Sequence, residues 1–463
     1  MRKLTLVLAL ATLAALPLAA QNTDIESVSG LTFNFGNPGA RSLGMGGAFL
    51  GLADDASAAE ANPAGLTILR KPEVSIEARN YQEQQVFSTS GTYPDITRTA
   101  FSHYSQRVDV TFASFVYPIK NFTLGVYYHE PLRNEGAGQV VPVRNQFTGE
   151  IKTNVPDFFL PTDGVSGPVS RQACIDLNQK NPTKIACSGW SILPFLSAVD
   201  IHEKTFGFAG AWKIGKLSLG GTARYHRFGE TAFTFRVNDT FNFDSISVQG
   251  TSDITKNNQK AQDVHDITFA GGFKFEVTDK FSFGGVYKQG AKYNAPTFAA
   301  NSDTNFTFVK VADTTFHVPD VYGVGVSYRP IPVLTLNVDA VRVTYSNLVD
   351  NFVSINAVVR AVPHPFIAKD ITELHAGAEY FFSTKIPIAL RGGYWREPAH
   401  SLQYNGPLNH QDRVAAAILF PKGQDQNHIA VGAGLAWPRF QIDAGYDRSD
   451  LYKVGSISAV MRF

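Results

Sequence analysis

From residue 72 onward, apolar and polar positions alternate with period two in one segment after another. At the C-terminus, Ile457, Ala459, Met461 and Phe463 share one face and Ser456, Ser458 and Arg462 the other. Phe440, Ile442, Ala444 and Tyr446 likewise oppose Arg439, Gln441, Asp443 and Asp447, and Leu374, Ala376, Ala378 and Tyr380 oppose Glu373, His375 and Glu379. Leu217, Leu219, Ala223 and Tyr225 oppose Ser218, Thr222, Arg224 and His226. Such alternation is the mark of strands with one apolar face. It predicts fourteen of them, at 72–88, 106–118, 121–131, 196–213, 216–236, 262–277, 280–296, 317–329, 333–346, 370–384, 386–399, 425–437, 438–448 and 452–463.

The connections distinguish the ways such strands can assemble. Every second one is tight, as at Ile119-Lys120-Asn121, Ile214-Gly215-Lys216 and Thr278-Asp279-Lys280, while most of the others are long, among them 132–195, 237–261, 347–369 and 400–424. A soluble sandwich also alternates, with its apolar face inward. Short turns at one end, long loops at the other, an even strand count and aromatics near strand ends (Tyr117, Tyr328, Tyr380, Phe381, Trp437) instead predict a transmembrane antiparallel β-barrel of about 14 strands. Both chain ends then lie on the side of the short turns, the periplasmic side. The polar face, with glycine and charges of both signs, becomes a wet or plugged lumen.

Composition narrows the compartment. Residues 1–20 read as a signal peptide: Arg2 and Lys3, an apolar run from Leu4 to Leu18, then Ala19 and Ala20. No later stretch is long and apolar enough for a spanning helix. A mean hydropathy of -0.09 suits a barrel, whose two faces average out. The net charge of +1 argues against a nucleic-acid partner. Cys174 and Cys187, in a Pro/Gly/Asn-rich segment of an exported chain, predict a local loop disulfide, and the segment offers too few ligands for a metal.

Residues 21–70 do not alternate. "GARSLGMGGAFLGLADDASAAEANPAGL", from Gly39 to Leu66, is dominated by small residues. A barrel of this size leaves a lumen unless something fills it, and a small-residue segment packs closely against a wall. Residues 56–61 read as a short helix capped by Asp54 or Asp55 and stopped by Pro63 and Gly65. "GMGGAFLG" is not a dinucleotide fingerprint, since Phe49 stands where the third glycine belongs and no strand precedes it.

This opening stretch, with a signal peptide before it and a barrel pattern ending in Phe463 after it, resembles the FadL/TodX family of outer-membrane transporters of hydrophobic compounds, and Asn62-Pro63-Ala64 matches that family's hatch motif. It is also similar to PorV-like barrels of a secretion apparatus, which handle proteins. The first resemblance implies a hatch at 21–70 inside a barrel at 71–463, with Asn62, Pro63 and Ala64 as hatch or gate. It implies passive uptake of long-chain fatty acids or hydrocarbons, captured outside and released sideways beside a kinked third strand. The second implies an adaptor or secretion role. In the predicted third strand, Gly125 and Pro131 are candidates for a lateral opening, or Pro131 simply ends the strand. Phe158, Phe159, Leu160, Trp190, Ile192, Leu193 and Phe195 bring apolar side chains to the outer loops, joined by a stretch at 351–367. They either capture ligand or pack over the barrel mouth. The expected partners are an apolar ligand, the bilayer with lipopolysaccharide, and the barrel-assembly machinery through Phe463, for a monomer without cofactor or metal.

No hydrolase constellation is visible: G-x-S-x-G is missing, and His202 lacks the second histidine of a zinc motif. Arg224, His226, Glu373, His375, Glu379 and Arg391 either form a charge network in the lumen or simply solvate it or bond the plug, rather than build a catalytic centre.

Overall fold

The computed structural model describes residues 33, 35–83, 86–92, 95–100, 105–140, 142–144, 151–153, 158–190, 195–238, 253–300, 309–349, 366–410, 413–414, 417 and 422–463. The signal-peptide reading at 1–20 and the loop stretch at 351–365 lie outside them.

Fourteen antiparallel strands close into one barrel. In chain order they are β1 (Glu73–Glu83), β2 (Ser105–Ile119), β3 (Phe122–Val140), β4 (Phe195–Ile214), β5 (Leu217–Asn238), β6 (Asp253–Thr278), β7 (Phe281–Lys288, resumed at Lys292–Ala300) and β8 (Val309–His317, resumed at Val321–Ile331). They continue as β9 (Leu334–Val343), β10 (Ile371–Phe382), β11 (Ile388–Glu397), β12 (Gln426–Ala436), β13 (Phe440–Arg448) and β14 (Tyr452–Arg462). Each pairs with its neighbours in sequence, and β14 closes the sheet on β1 in a register from Glu73↔Arg462 to Glu83↔Tyr452. Closure leaves no free edge strand, which a sheet in lipid requires because nothing there can pair a row of exposed backbone N–H and C=O groups.

The side chains are inverted relative to a soluble protein. Phe208, Ile267, Phe269, Val338, Leu374 and Ile457 point outward and are exposed, while Glu77, Glu203, His226, Glu379, Asp443 and His428 point inward and are buried. A soluble sandwich would put the first set inside. Tyr117, Trp212, Tyr328 and Tyr380 ring the outer surface near the short turns, and Tyr225, Tyr287, Tyr322 and Tyr394 ring it further up. Tyr322 and Tyr328 sit on one strand six residues apart, roughly 20 Å along the strand at ~3.3 Å per residue, or about 15 Å of height at a barrel tilt of about 40°, which fits within the apolar band of a membrane barrel. The tight turns follow from local chemistry: Gly215 takes a φ of 60° between β4 and β5.

Two irregularities shape the wall. At 289–291 and 318–320, β7 and β8 are interrupted, and Val318 N–H bonds Ala291 O across the break. The interruption shifts the facing by one residue, so Lys288 and Tyr293 both point inward although they are five apart. In β3 the strand runs through Pro131 and does not end there. The β3–β4 register slips from Thr205↔His129 to Glu203↔Leu132, leaving one extra residue in β3. Pro131 has no N–H to give a ladder, which suits it to a bulge.

The N-terminal segment lies against the inward face of the barrel. It holds α1 (Ala40–Gly44), α2 (Ala58–Ala61) and a 3-10 turn at Pro63–Ile68. The expected 56–61 helix thus starts two residues later, behind Ser57. Asp55 does not cap it but accepts from the N–H and hydroxyl of Ser57, and Asp54 is drawn away to Arg41 and Arg329. Pro63 stops α2 and at once opens the 3-10 turn, for which a proline near the first position is pre-shaped.

Candidate functional site

Small residues on both sides let this segment approach the wall backbone to backbone. A Cβ on Gly393 of β11 would come within 2.2 Å of Gly46 N, and one on Gly220 of β5 within 2.4 Å of Ala64 N. Polar groups fix the register. Asn62, fully buried, donates from Nδ2 to Leu50 O and to Phe273 O of β6, both at 3.1 Å, and accepts from Ala64 N–H at 3.3 Å. Asp339 of β9 accepts from the N–H groups of Phe49 and Leu50 at 2.6 and 2.8 Å. Arg41 grips Glu379 of β10 through two nitrogens at 2.9 and 2.8 Å and Asp54 at 2.6 Å. Glu379 is shared with Arg391, which also pairs Asp443 at 2.8 Å. His375 of β10 bonds Gly46 O at 2.7 Å and Glu373 at 3.2 Å. Of the inward charges, Arg224 likewise reaches the N-terminal segment, at Glu60, while His226 pairs within the wall, with Glu203. Pro63 and Ala64 are buried with Asn62 where the segment crosses β5 and β6.

Above this polar layer, toward the long loops, the lumen turns apolar. Leu132 of β3, Ile201 of β4, Phe228 of β5, Tyr293 of β7 and Phe316 of β8 form one buried cluster with Tyr345, Leu348, Phe366 and Leu402 from the loop end. The rings stack, with centroids 4.3 Å apart for Phe228 and Tyr293 and 5.0 Å for Phe228 and Phe316. Phe33, at the start of the described N-terminal segment, inserts into the cluster, stacks on Phe35 at 4.9 Å and lies 6.2 Å from Tyr345. Of these, only Phe366 lies in a stretch singled out in the sequence, the apolar segment at 351–367. The available signal was an apolar residue on an otherwise polar face, such as Ile201 two positions from Glu203.

The wall beside this cluster is incomplete. The β2–β3 ladder runs from Ile119↔Phe122 to Phe112↔His129 and, among the described residues, no further. Beyond that point, among the described residues, 105–110 pair only with β1, and 132–140 only with β4. The break starts at Thr111, extra in the β1–β2 register, and at the Pro131 bulge. Gly125 is not at the break: its ladder partners Val116 and Ala209 are in place, and it makes room for Val116 and Leu66. On the outer wall just turnward, Ile76, Phe115, Val126, Phe206, Phe208 and Tyr225 border an apolar groove of about 680 Å³.

The outer loop carries its own small core. Phe158–Pro161 pairs with Cys187–Trp190, and α3 (Arg171–Lys180) packs on both. Cys174 and Cys187 are joined as a disulfide with Cα atoms 5.3 Å apart. Phe158 and Leu160 are buried in this core and Phe159 half-buried, so these three side chains do not form an open patch. Trp190 and Phe195 are placed by their strand backbones, and Ile192 and Leu193 lie outside the described residues. Asn178 ties the hairpin end, accepting from the N–H groups of Ala186 and Cys187 at 2.9 Å. The Ser166 hydroxyl and the N–H groups of Ser166 and Val165 hold the Asp163 carboxyl below its usual range.

Solved structures share this fold. A FadL homologue from Pseudomonas aeruginosa matches with a TM-score of 0.59 at 14% identity, over 93% of this chain and 99% of that one. The toluene transporter TodX of P. putida matches at 0.55 and 13%, over 92% and 98%. The monoaromatic hydrocarbon channel CymD matches at 0.54 and 14%, over 93% and 99%. No protein-family model and no curated protein matches the sequence. The likenesses establish that the chain has the FadL/TodX-type barrel fold.

Proposed function

We propose that this barrel is a passive outer-membrane channel of the FadL/TodX kind for hydrophobic small molecules, long-chain fatty acids or hydrocarbons. The observation that carries the reading is the apolar cluster that runs from the loop end of the lumen to the place where the β2–β3 ladder stops. A cargo molecule enters between the loops, replaces Phe33 and Phe35 against Phe228, Tyr293 and Phe316, and leaves sideways past Leu132 and Pro131 into the bilayer. Residues 21–70 act as the hatch, and Asn62, Pro63 and Ala64 hold its lower part on the wall. Both chain ends then face the periplasm, and Phe463 is the signal read by the barrel-assembly machinery. The chain acts as a monomer in a bilayer with lipopolysaccharide. The described part of the long outer loop buries Phe158 and Leu160, which favours a lid over the protein-binding surface of a PorV-like adaptor.

The test is uptake of radiolabelled dodecane and laurate by a transporter-null host expressing the chain, beside an Asn62→Ala/Pro63→Ala variant and an empty-vector control. Transport predicts uptake of at least one compound well above the vector and a changed rate in the variant. Rates equal to the vector for both compounds would refute the reading.

A further inference from the structure

Where the polar layer meets the apolar cluster, three wall strands converge on one carboxylate that is not part of the wall. Glu60 sits on α2, the only acidic residue in Ala58-Ala59-Glu60-Ala61. Lys288 of β7 reaches it at 3.1 Å, Arg224 of β5 at 3.6 Å, and the Tyr127 hydroxyl of β3 donates to it at 2.5 Å. All four side chains are more than nine-tenths buried. His129 of β3 stands 3.9 Å from the same carboxylate. Beside them Glu203 takes His226 at 2.7 Å. Glu60, Lys288, Arg224, His129, Glu203 and His226 line a cavity of about 20 Å³ whose other side is Phe35, Pro131, Ala291, Val318 and Val321. The cavity is about one water in size and adjoins the apolar cluster.

We infer that the cargo is uncharged: Glu60 is a built-in counter-anion that occupies the cations of the lumen and closes the route to molecules bearing a carboxylate. The inference rests on the transport reading and narrows it. An anion entering so dry a site needs a cation and hydrogen-bond donors. The best such place, where Lys288, Arg224 and Tyr127 converge, is already taken. Displacing Glu60 strands a buried carboxylate on α2, a penalty of roughly 100- to 4,000-fold in affinity. Other lumen cations are committed as well, Arg41 to Asp54 and Glu379, Arg391 to Glu379 and Asp443, and Arg79 to Glu77, while the buried Lys274 donates to Leu52 O. A neutral hydrocarbon asks nothing of these groups and meets only Leu132, Phe228, Tyr293 and Phe316.

The experiment is equilibrium binding of radiolabelled dodecane and laurate to the full-length protein in nanodiscs, with empty nanodiscs subtracted. The wild type is expected to prefer dodecane over laurate by about 100-fold. Glu60→Gln keeps the size of the side chain and releases Lys288 and Arg224, so the laurate-to-dodecane ratio should rise about 100-fold. Glu60→Gln/Lys288→Met, which leaves Arg224 as the one cation released, should show a smaller rise. Wild-type protein that binds laurate as tightly as dodecane overturns the inference, even if neither variant folds. So does a folded Glu60→Gln variant with an unchanged ratio. Failure of the wild type to bind either compound falls instead on the transport reading itself.

Discussion

Removing the Asn62 side chain should loosen the N-terminal segment without opening the barrel. Asn62 is fully buried and makes three hydrogen bonds, to Leu50 O, to Phe273 O and from Ala64 N–H. Asn62→Ala deletes all three and leaves two carbonyls and one N–H short of a partner. At about 1 kcal/mol net for each of the two carbonyl bonds and about 1 kcal/mol for the cap of the 3-10 turn, the local opening free energy should fall by about 2–4 kcal/mol. At one decade per ~1.4 kcal/mol, amide hydrogen exchange across residues 50–68 should quicken about 30- to 700-fold. The barrel strands should exchange as before, because their ladders do not involve Asn62 beyond Phe273 O. The assay is hydrogen exchange read by mass spectrometry on protein in detergent, with heat-modifiable gel mobility as the check that the barrel is intact. Exchange within about threefold of the wild type, in a folded barrel, would refute the claim that Asn62 fixes the segment to the wall.

Other perturbations probe the remaining parts. Val338 faces outward and is 53% exposed in mid-wall, so Val338→Arg should destabilise the membrane-inserted barrel by about 2–4 kcal/mol; urea titration of folding in lipid vesicles measures this, and no effect would mean the face does not meet lipid. Phe33→Ala/Phe35→Ala empties the stacked pair from the apolar cluster and should raise dodecane uptake in whole cells; an unchanged rate would show that the two rings do not obstruct the path. Cys174→Ser/Cys187→Ser opens a short loop closure of the kind that stabilises by about 3 kcal/mol, so external protease should cut near 181–185 faster in whole cells; equal cleavage would mean that Asn178 and α3 hold the loop by themselves.

Much of the barrel was legible because alternation is a local property. Each strand carries its two faces in its own residues, so the inward Glu379, Arg391, Arg224 and His226 and the outward Leu374 and Tyr225 could be read one strand at a time. The short helix was harder. Asp54 and Asp55 look like caps from sequence, but Asp54 has stronger partners, Arg41 and Arg329, which come from 13 and 275 residues away. The loop aromatics Phe158 and Leu160 read as exposed for a similar reason: whether they face water depends on whether α3 and the disulfide fold over them. Pro131 left two outcomes open, and only the register of β4 against β3 chose between them.

The sequence by itself thus determined the strand count, the two faces of the wall and a non-alternating opening segment made of small residues, because periodicity and side-chain size are carried within a few neighbouring positions. The tertiary structure decided where the β2–β3 ladder stops, which residues build the apolar cluster, and that Glu60 of α2 meets Lys288, Arg224 and Tyr127. Those features arise where strands far apart in the chain meet at one height in a closed barrel. That height is set by the accumulated register of fourteen strands and their bulges, and each one-residue slip exchanges the inward for the outward face.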